Sequence, residues 1–297
     1  MPWERVAIVT GRTELHLPIT SPQDGSNSIF TNTRTFYGAA QDMLAKMKEI
    51  ASMDLGGAPD DYDISNERVH QIADESVGMT FGQVASRALE IGGKYTGSSD
   101  LPEELAEWTQ ISVSRLAGSA FMGVFHDPRH EGNPPGFTVS CIEIELDTET
   151  GKYEILDLIN VADSGTIMHP KGMENQLVGG AVWGIGLSGY ERHLYDPQNG
   201  MPASTGYWQS KVPTFLDTPV KIQTGWVDLP DPENPVGARG VGEPAQGSVS
   251  AALTAAISDA LGGHIFGASP ITADMIINHV AGTSEDSVPL AQNNFRG

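Results

Sequence analysis

Two runs of alternating apolar and polar residues, FTVSCIEIELD (137–147) and YEILDLINVAD (153–163), flank the turn sequence TETGK. A period of two puts successive side chains on opposite faces, which suits a half-buried strand and not a helix. Gly151 supplies the positive-φ position of a tight turn, so the two runs are predicted to form a β-hairpin. The next stretch, PKGMENQLVGGAVWGIGLSGYE (170–191), is rich in small residues and apolar on most sides, and reads as a buried helix. GSVSAALTAAISDALGG (247–263) is a second buried helix, opening after Pro244 and closing at a glycine pair, and TADMIINHV (272–280) is a third.

The N-terminal part is mixed. ERVAIV (4–9) reads as a strand and residues 10–33 as irregular. TRTFYGAAQDMLAKMKEIASM (33–53) reads as a helix with Met43, Leu44, Met47 and Ile50 on one face. YDISNERVHQIADES (62–76) reads as strand and turn. MTFGQVASRALEIGG (79–93) is predicted to be a short helix capped by Thr80 and stopped by its glycines. Strands and helices in this order predict an α+β fold. We expect two lobes, approximately 1–120 and 121–283, and a tail, 284–297, lying extended on a neighbour.

The charge balance narrows the partners. A net charge of −21 repels polyanions, which excludes nucleic acid and anionic membrane surfaces. No run of apolar residues is long enough for a membrane-spanning helix. The opening MPWERVAIVTGR lacks the pattern of a secretory signal, so a cytoplasmic location is expected. The only cysteine, Cys141, can neither close an internal disulfide nor hold an iron–sulfur cluster, and its apolar surroundings predict a buried thiol. His126 and His130 are four apart, but Asp127-Pro128 between them disfavours the helix that would align them on a metal. No protein-ligated metal is expected.

The segment NPVGARGVGEPAQGSVSAAL (234–253) is the sharpest local feature. Gly237, Gly240, Gly242 and Gly247 allow close approach to the backbone. Glu243 stands at the start of a helix whose first residue is Pro244, where free N–H groups and the positive helix end favour an anionic or oxo-bearing group. On these residues alone, Glu243 reads first as an ordinary charge at a helix start.

The string GARGVGEP is similar to the G-x-x-G-V-G-E-P motif of the xanthine dehydrogenase / aldehyde oxidase family of molybdenum hydroxylases. Other segments resemble that family in the same order: MPWERVAIVTGRTEL, IFTNTRTFYGAAQ, the hairpin through DSGTIMHP, QLVGGAVWGIGLSGYERHLYD and YWQSKVPTFLDTP. The resemblance implies the second molybdenum-cofactor-binding domain of the large subunit. It also implies that Glu243 is a base, taking the proton of a metal-bound hydroxyl while an activated C–H carbon is oxidised with water as oxygen source. The segment Ser28, Ile29, Phe30, Thr31, Asn32 and Thr33 would be a cofactor-contacting loop, although the arginine common there is replaced by Asn32. Gln176 and Gly242 would contact the cofactor, and Gln246 is a further candidate. Trp183 takes a position where some members carry a cofactor-binding glutamine, and is expected to be a buried aromatic.

The implied cofactor is molybdopterin with molybdenum, in its plain or cytosine dinucleotide form, shared with a partner chain. The family's first cofactor-binding domain and the Q-G-x-x-T segment that precedes the ERVAIV strand have no counterpart here, so a split subunit or a fragment is expected. The implied partners are a subunit carrying that first domain, an iron–sulfur subunit with two 2Fe-2S clusters, and an FAD subunit. A hydratase or reductase using the same cofactor, or a scaffold completing a partner's fold, are the alternatives.

Overall fold

A computed structural model describes residues 1–17, 23–96, 105–125 and 136–283, in an α+β arrangement. Residues Met1–Pro22 with Thr31–Asn133 form one compact unit, and Gln23–Phe30 with Pro134–Gly297 form the other. His126, His130 and the tail 284–297 lie outside the described residues.

The first unit is organised by α1 (Ser28–Leu55), whose opening residues belong to the second unit. Strands β1 (Tyr62–Ser65), β2 (Arg68–Gln71) and β3 (Gly78–Thr80) form an antiparallel sheet in that order. Helices α2 (Phe81–Ile91) and α3 (Glu107–Leu116) come next. Asn66 and Glu67 turn β1 into β2 with both φ angles positive, 49° and 60°, as a two-residue hairpin requires. The predicted cap of α2 is present. Thr80 Oγ1 accepts from the Gln83 N–H at 3.3 Å, and the Gln83 side chain accepts the Thr80 N–H at 2.8 Å. Met47, Ile50, Ala51, Tyr62, Val69, Val84 and Ala88 fill the core.

Two expectations fail in this part. ERVAIV is not a strand: Trp3–Arg5 make a 3-10 turn, and Val6, Ala7, Ile8 and Val9 pair with no strand among the described residues. A strand exists by hydrogen-bonding to a neighbour, and β-forming residues alone do not supply one. The segment Ser28–Thr33 is helical, not a loop. Its polar Ser, Asn and Thr residues suit a first turn as well as a loop, and the apolar spacing that marks the helix in sequence begins only after them.

In the second unit, β4 (Phe137–Asp147) and β5 (Lys152–Asp163) form the predicted antiparallel hairpin, with Gly151 at φ 67°. Asp147 closes the turn by accepting from the Thr150 hydroxyl at 2.6 Å and the Glu149 N–H at 2.9 Å; these bonds hold its carboxyl below the ordinary value. β6 (Ile222–Val227) joins parallel to β5. Across that seam Asp157 accepts from Lys221 at 2.8 Å and Gln223 at 2.9 Å, and the lysine bond leads in keeping its carboxyl ionised below the usual range.

The remaining helices are α4 (Pro170–Ile185, continued by a π turn over Gly186–Tyr190), α5 (Tyr207–Ser210), α6 (Pro244–Ala260) and α7 (Ala273–Val280). Ile155, Leu158, Ala181, Ile185, Val249, Leu253, Ile257, Ile271 and Ile276 form the common core of α4, α6, α7 and the sheet. Glycines let α4 and α6 meet closely. A Cβ on Gly180 would stand 2.7 Å from that of Ala245, and one on Gly184 would stand 2.8 Å from that of Val249.

Asn160 of β5 is fully buried and ties three elements together. Its amide donates to the Leu177 carbonyl of α4 at 3.0 Å and reaches the Ala245 carbonyl of α6 at 3.5 Å, while its oxygen accepts from the Ser140 hydroxyl of β4 at 3.0 Å. Replacing it by leucine strands those partners in the interior. We expect Asn160→Leu to cost about 2 kcal/mol, read as a lower urea midpoint with an unchanged slope.

Cys141 is exposed, not buried. Burial alternates along β4, and Ile142, Ile144 and Leu146 take the core-facing parity. Cys141 falls on the other face with Phe137 and Val139, both also exposed. At that end the apolar residues take the exposed parity and Thr138 and Ser140 the covered one, the reverse of Ile142–Leu146, so the apolar composition of the run does not reveal which face is covered.

Candidate functional site

Within the second unit, the Gln23–Ile29 segment, the chain leaving β5, one side of α4 and residues 239–243 line an open cavity of ≈ 800 Å3. Its glycine-rich wall is built on Asn234, which is buried. The Asn234 side-chain oxygen accepts from the Val236 N–H at 3.0 Å and the Ala238 N–H at 3.4 Å, and its amide donates to the Phe30 carbonyl at 3.1 Å. Gly237, at φ 72°, turns the chain so that its carbonyl accepts from Thr166 N–H at 2.7 Å and Asp231 N–H at 2.9 Å. Arg239 braces the same wall. Its guanidinium pairs with Asp163 at 2.7 Å and Asp231 at 3.1 Å, so its charge is neutralised within the wall.

Glu243 is the N-cap residue of α6, whose first residue is Pro244 as predicted. No α6 N–H is capped by its side chain, and the carboxylate lines the cavity. Its neighbour is Ser26, in a turn spanning Asp24–Asn27 with Gly25 and Ser26 at φ 57° and 60°. The Glu243 N–H donates to Ser26 Oγ at 2.8 Å, and Ser26 Oγ donates back to Glu243 Oε2 at 3.3 Å. Glu243 Oε1 receives no hydrogen bond from the described residues. Side chains at Gly240 and Gly242 would overlap the Ser26 carbonyl and the Gln176 amide oxygen respectively. These two glycines therefore make room for residues of this chain as well as baring the wall of the cavity.

Across the cavity, His169 caps α4, its Nδ1 accepting the Gly172 N–H at 2.7 Å. Gln176 and Trp183 lie further along that helix. Trp183 is 42% exposed and lines the cavity, which corrects the expectation of a buried aromatic. Small residues surround it on α4, and Gly180 and Gly184, not Trp183, take the face against α6.

Of the residues singled out from sequence, Ser28, Ile29, Gln176, Gly242 and Glu243 come together around this cavity. Phe30 does not line it: one step of the α1 helix turns its ring away from the Ile29 direction, and it is buried. Thr31, Asn32 and Thr33 belong to the first unit and are absent from this wall. Gln246 is not at the wall either, and its buried Oε1 has no hydrogen-bond partner among the described residues. Sequence reading misses Ser26, Asn234, Arg239 and His169. An Asn-Pro pair opening a glycine-rich loop is the only signal that could flag Asn234; a single serine carries none.

Residues 1–219 match the molybdopterin cofactor-binding domain family. The chain belongs to that family, within the molybdenum hydroxylases. It is 31% identical over 150 residues to the gamma subunit of the 6-hydroxypseudooxynicotine dehydrogenase complex of Paenarthrobacter nicotinovorans, covering 50% of this chain and 19% of that one. It is 25% identical over 279 residues to an aldehyde oxidoreductase molybdenum-binding subunit of Escherichia coli, covering 94% of this chain and 33% of the relative. Quinoline 2-oxidoreductase from Pseudomonas putida superimposes with a TM-score of 0.55 at 25% identity, over 82% of this chain and 29% of that structure's chain. The chain thus spans a third or less of the length of these relatives.

The cavity suits a pterin cofactor in its chemistry. It is of cofactor size, is walled by glycine backbone and offers the Ser28 hydroxyl and the Gln176 amide as polar contacts. Among the described residues no three His, Cys, Asp or Glu side chains converge on a common point. No helix of the described residues is long and apolar enough to cross a membrane.

Proposed function

We propose that this chain is the C-terminal portion of the catalytic molybdenum-cofactor subunit of a xanthine dehydrogenase-type hydroxylase, with Glu243 as the base. The observation that carries this reading is the Glu243 carboxylate at the cavity, held through one oxygen by Ser26 and with the other unpartnered among the described residues. When bound, the cofactor would supply a two-electron redox centre and an oxygen atom derived from water. Ser28, Ile29, Gln176 and the backbone at Gly242 would hold it, with further contacts from a partner chain.

The residues present account for the rest. The Glu243 carboxylate would accept a proton at Oε1 without leaving the Ser26 contact at Oε2. The first turn of α6 places a partial positive charge beside it, which stabilises a polar or anionic edge of the cofactor. Ile29, Val241 and Met168 line the same cavity with apolar surface, against which the apolar part of a substrate would rest. A heteroaromatic ring or an aldehyde, each with an electrophilic carbon bearing hydrogen, is the substrate class that fits this chemistry.

The remaining subunits would carry the first cofactor-binding domain, two 2Fe-2S clusters and FAD, completing electron transfer away from the cofactor. The names of the relatives, a gamma subunit of a complex and a molybdenum-binding subunit, support a heteromer. The test is turnover by Glu243→Gln in the assembled holoenzyme. Loss of turnover with cofactor retained supports the reading, and a rate within a few-fold of the unaltered enzyme removes it.

A further inference from the structure

We propose that Ser26 is the positioning residue of Glu243: its hydroxyl fixes which carboxylate oxygen faces the reacting group. This rests on the reading of Glu243 as the base. Three independent observations carry it. The first is the reciprocal pair of hydrogen bonds, in which one hydroxyl accepts the Glu243 backbone N–H at 2.8 Å and gives its only proton to Oε2 at 3.3 Å. The shorter bond anchors the residue, and the longer one selects an oxygen.

The second observation is conformational. Ser26 has φ 60°, a left-handed conformation that favours glycine, and it is held there by the Asp24–Asn27 turn. Gly25 beside it takes the same region without penalty, so the turn alone does not call for a side chain at 26. The side chain that is present makes its hydrogen bonds to Glu243. The third observation is steric. A Cβ on Gly242 would come 3.0 Å from Ser26 Oγ, and any side chain on Gly240 would overlap the Ser26 carbonyl. The wall is bare where this turn enters it.

A free glutamate side chain samples several rotamers and presents either oxygen. Tying Oε2 to Ser26 removes most of that freedom before substrate arrives and leaves Oε1 as the proton acceptor, a preorganisation that acts on the chemical step and not on binding.

Two variants separate the hydroxyl from the backbone. Ser26→Gly keeps the left-handed turn and loses the hydroxyl; Ser26→Ala loses the hydroxyl and keeps the conformational cost. In the holoenzyme both are expected to lower kcat about ten-fold, with KM and molybdenum content within two-fold of the unaltered enzyme. In the full chain without cofactor, both should speed hydrogen exchange at the Glu243 amide, with the α6 interior unaffected. Unchanged kcat in both variants overturns the proposal, as does a fall in activity that merely tracks cofactor loss, or exchange at the Glu243 amide that stays as in the unaltered chain. Glu243→Gln distinguishes the two levels. If that variant turns over normally, the base reading fails and this inference with it; if it is inactive while both Ser26 variants are normal, only the inference fails.

Discussion

Glu243→Gln is expected to lower turnover of the assembled holoenzyme by about 10³-fold, the range in which removal of a general base falls. The substitution is nearly isosteric. The amide oxygen can still take the Ser26 hydroxyl proton, and the backbone N–H still donates to Ser26 Oγ, as it does in the structure at 2.8 Å. Geometry is therefore kept while the ability to accept a proton at neutral pH is lost. Cofactor content and KM should stay close to the unaltered enzyme, and the loss should appear in kcat and kcat/KM alike. A variant that loses its molybdenum would indicate a residue that retains cofactor, and the base assignment would fail. Rapid-mixing reduction of the cofactor by substrate measures the step directly.

The largest loss of stability is expected at the α4–α6 crossing. In Gly184→Ala the added methyl would stand 2.8 Å from Val249 Cβ and 3.0 Å from the Ser250 nitrogen, and would press on the Gln246 carbonyl. Two of these contacts are main chain of α6 and cannot swing aside. The helices must separate, opening the core around Val249 and Leu253, at a cost of about 3 kcal/mol. Gly247, in the first turns of α6, has nothing within 4 Å of the same added methyl. Gly247→Ala should leave stability unchanged or raise it by roughly 0.5–1 kcal/mol, because alanine is the better helix former. Urea unfolding of both variants beside the parent gives the comparison; equal midpoints would show that the helices slide freely past Gly184.

How much can be read from the sequence depends on the range of the interaction. The hairpin of β4 and β5, the Thr80 cap, the turn at Gly151 and the start of α6 at Pro244 are each set by residues within one turn or one strand pair, and each is legible. β6 is not: KIQTGWV has no clean alternation, and its partner β5 lies far away in sequence. ERVAIV shows the converse, a segment with strand composition and no neighbour to pair with among the described residues. Cys141 is misplaced by a sequence reading because the apolar residues of β4 change parity along the strand, Phe137, Val139 and Cys141 on one face and Ile142, Ile144 and Leu146 on the other, and only the latter face is covered.

At the candidate site the same division holds. Glu243 and Gly242 stand in a recognisable string, and the motif resemblance points to them. Ser26 is brought to Glu243 by the fold from a distant part of the chain, with no local pattern to mark it. Phe30 shows the limit of treating a segment as a unit. Helical rotation gives Ile29 to the cavity and Phe30 to the interior.

The parallel seam between β5 and β6 bears on how the chain acquires its structure. The β4–β5 hairpin closes across a turn of a few residues, whereas Leu158 meets Ile222 only after the whole stretch containing α4 and α5 has been laid down. Loop closure of that length is entropically costly and slow, so the third strand should dock late, after the hairpin and α4 have associated. During synthesis, the β5 edge waits open for its last neighbour. The acidic side chain of Asp157 on that edge, later matched by Lys221, is a charge of the kind that discourages a wrong strand from arriving first.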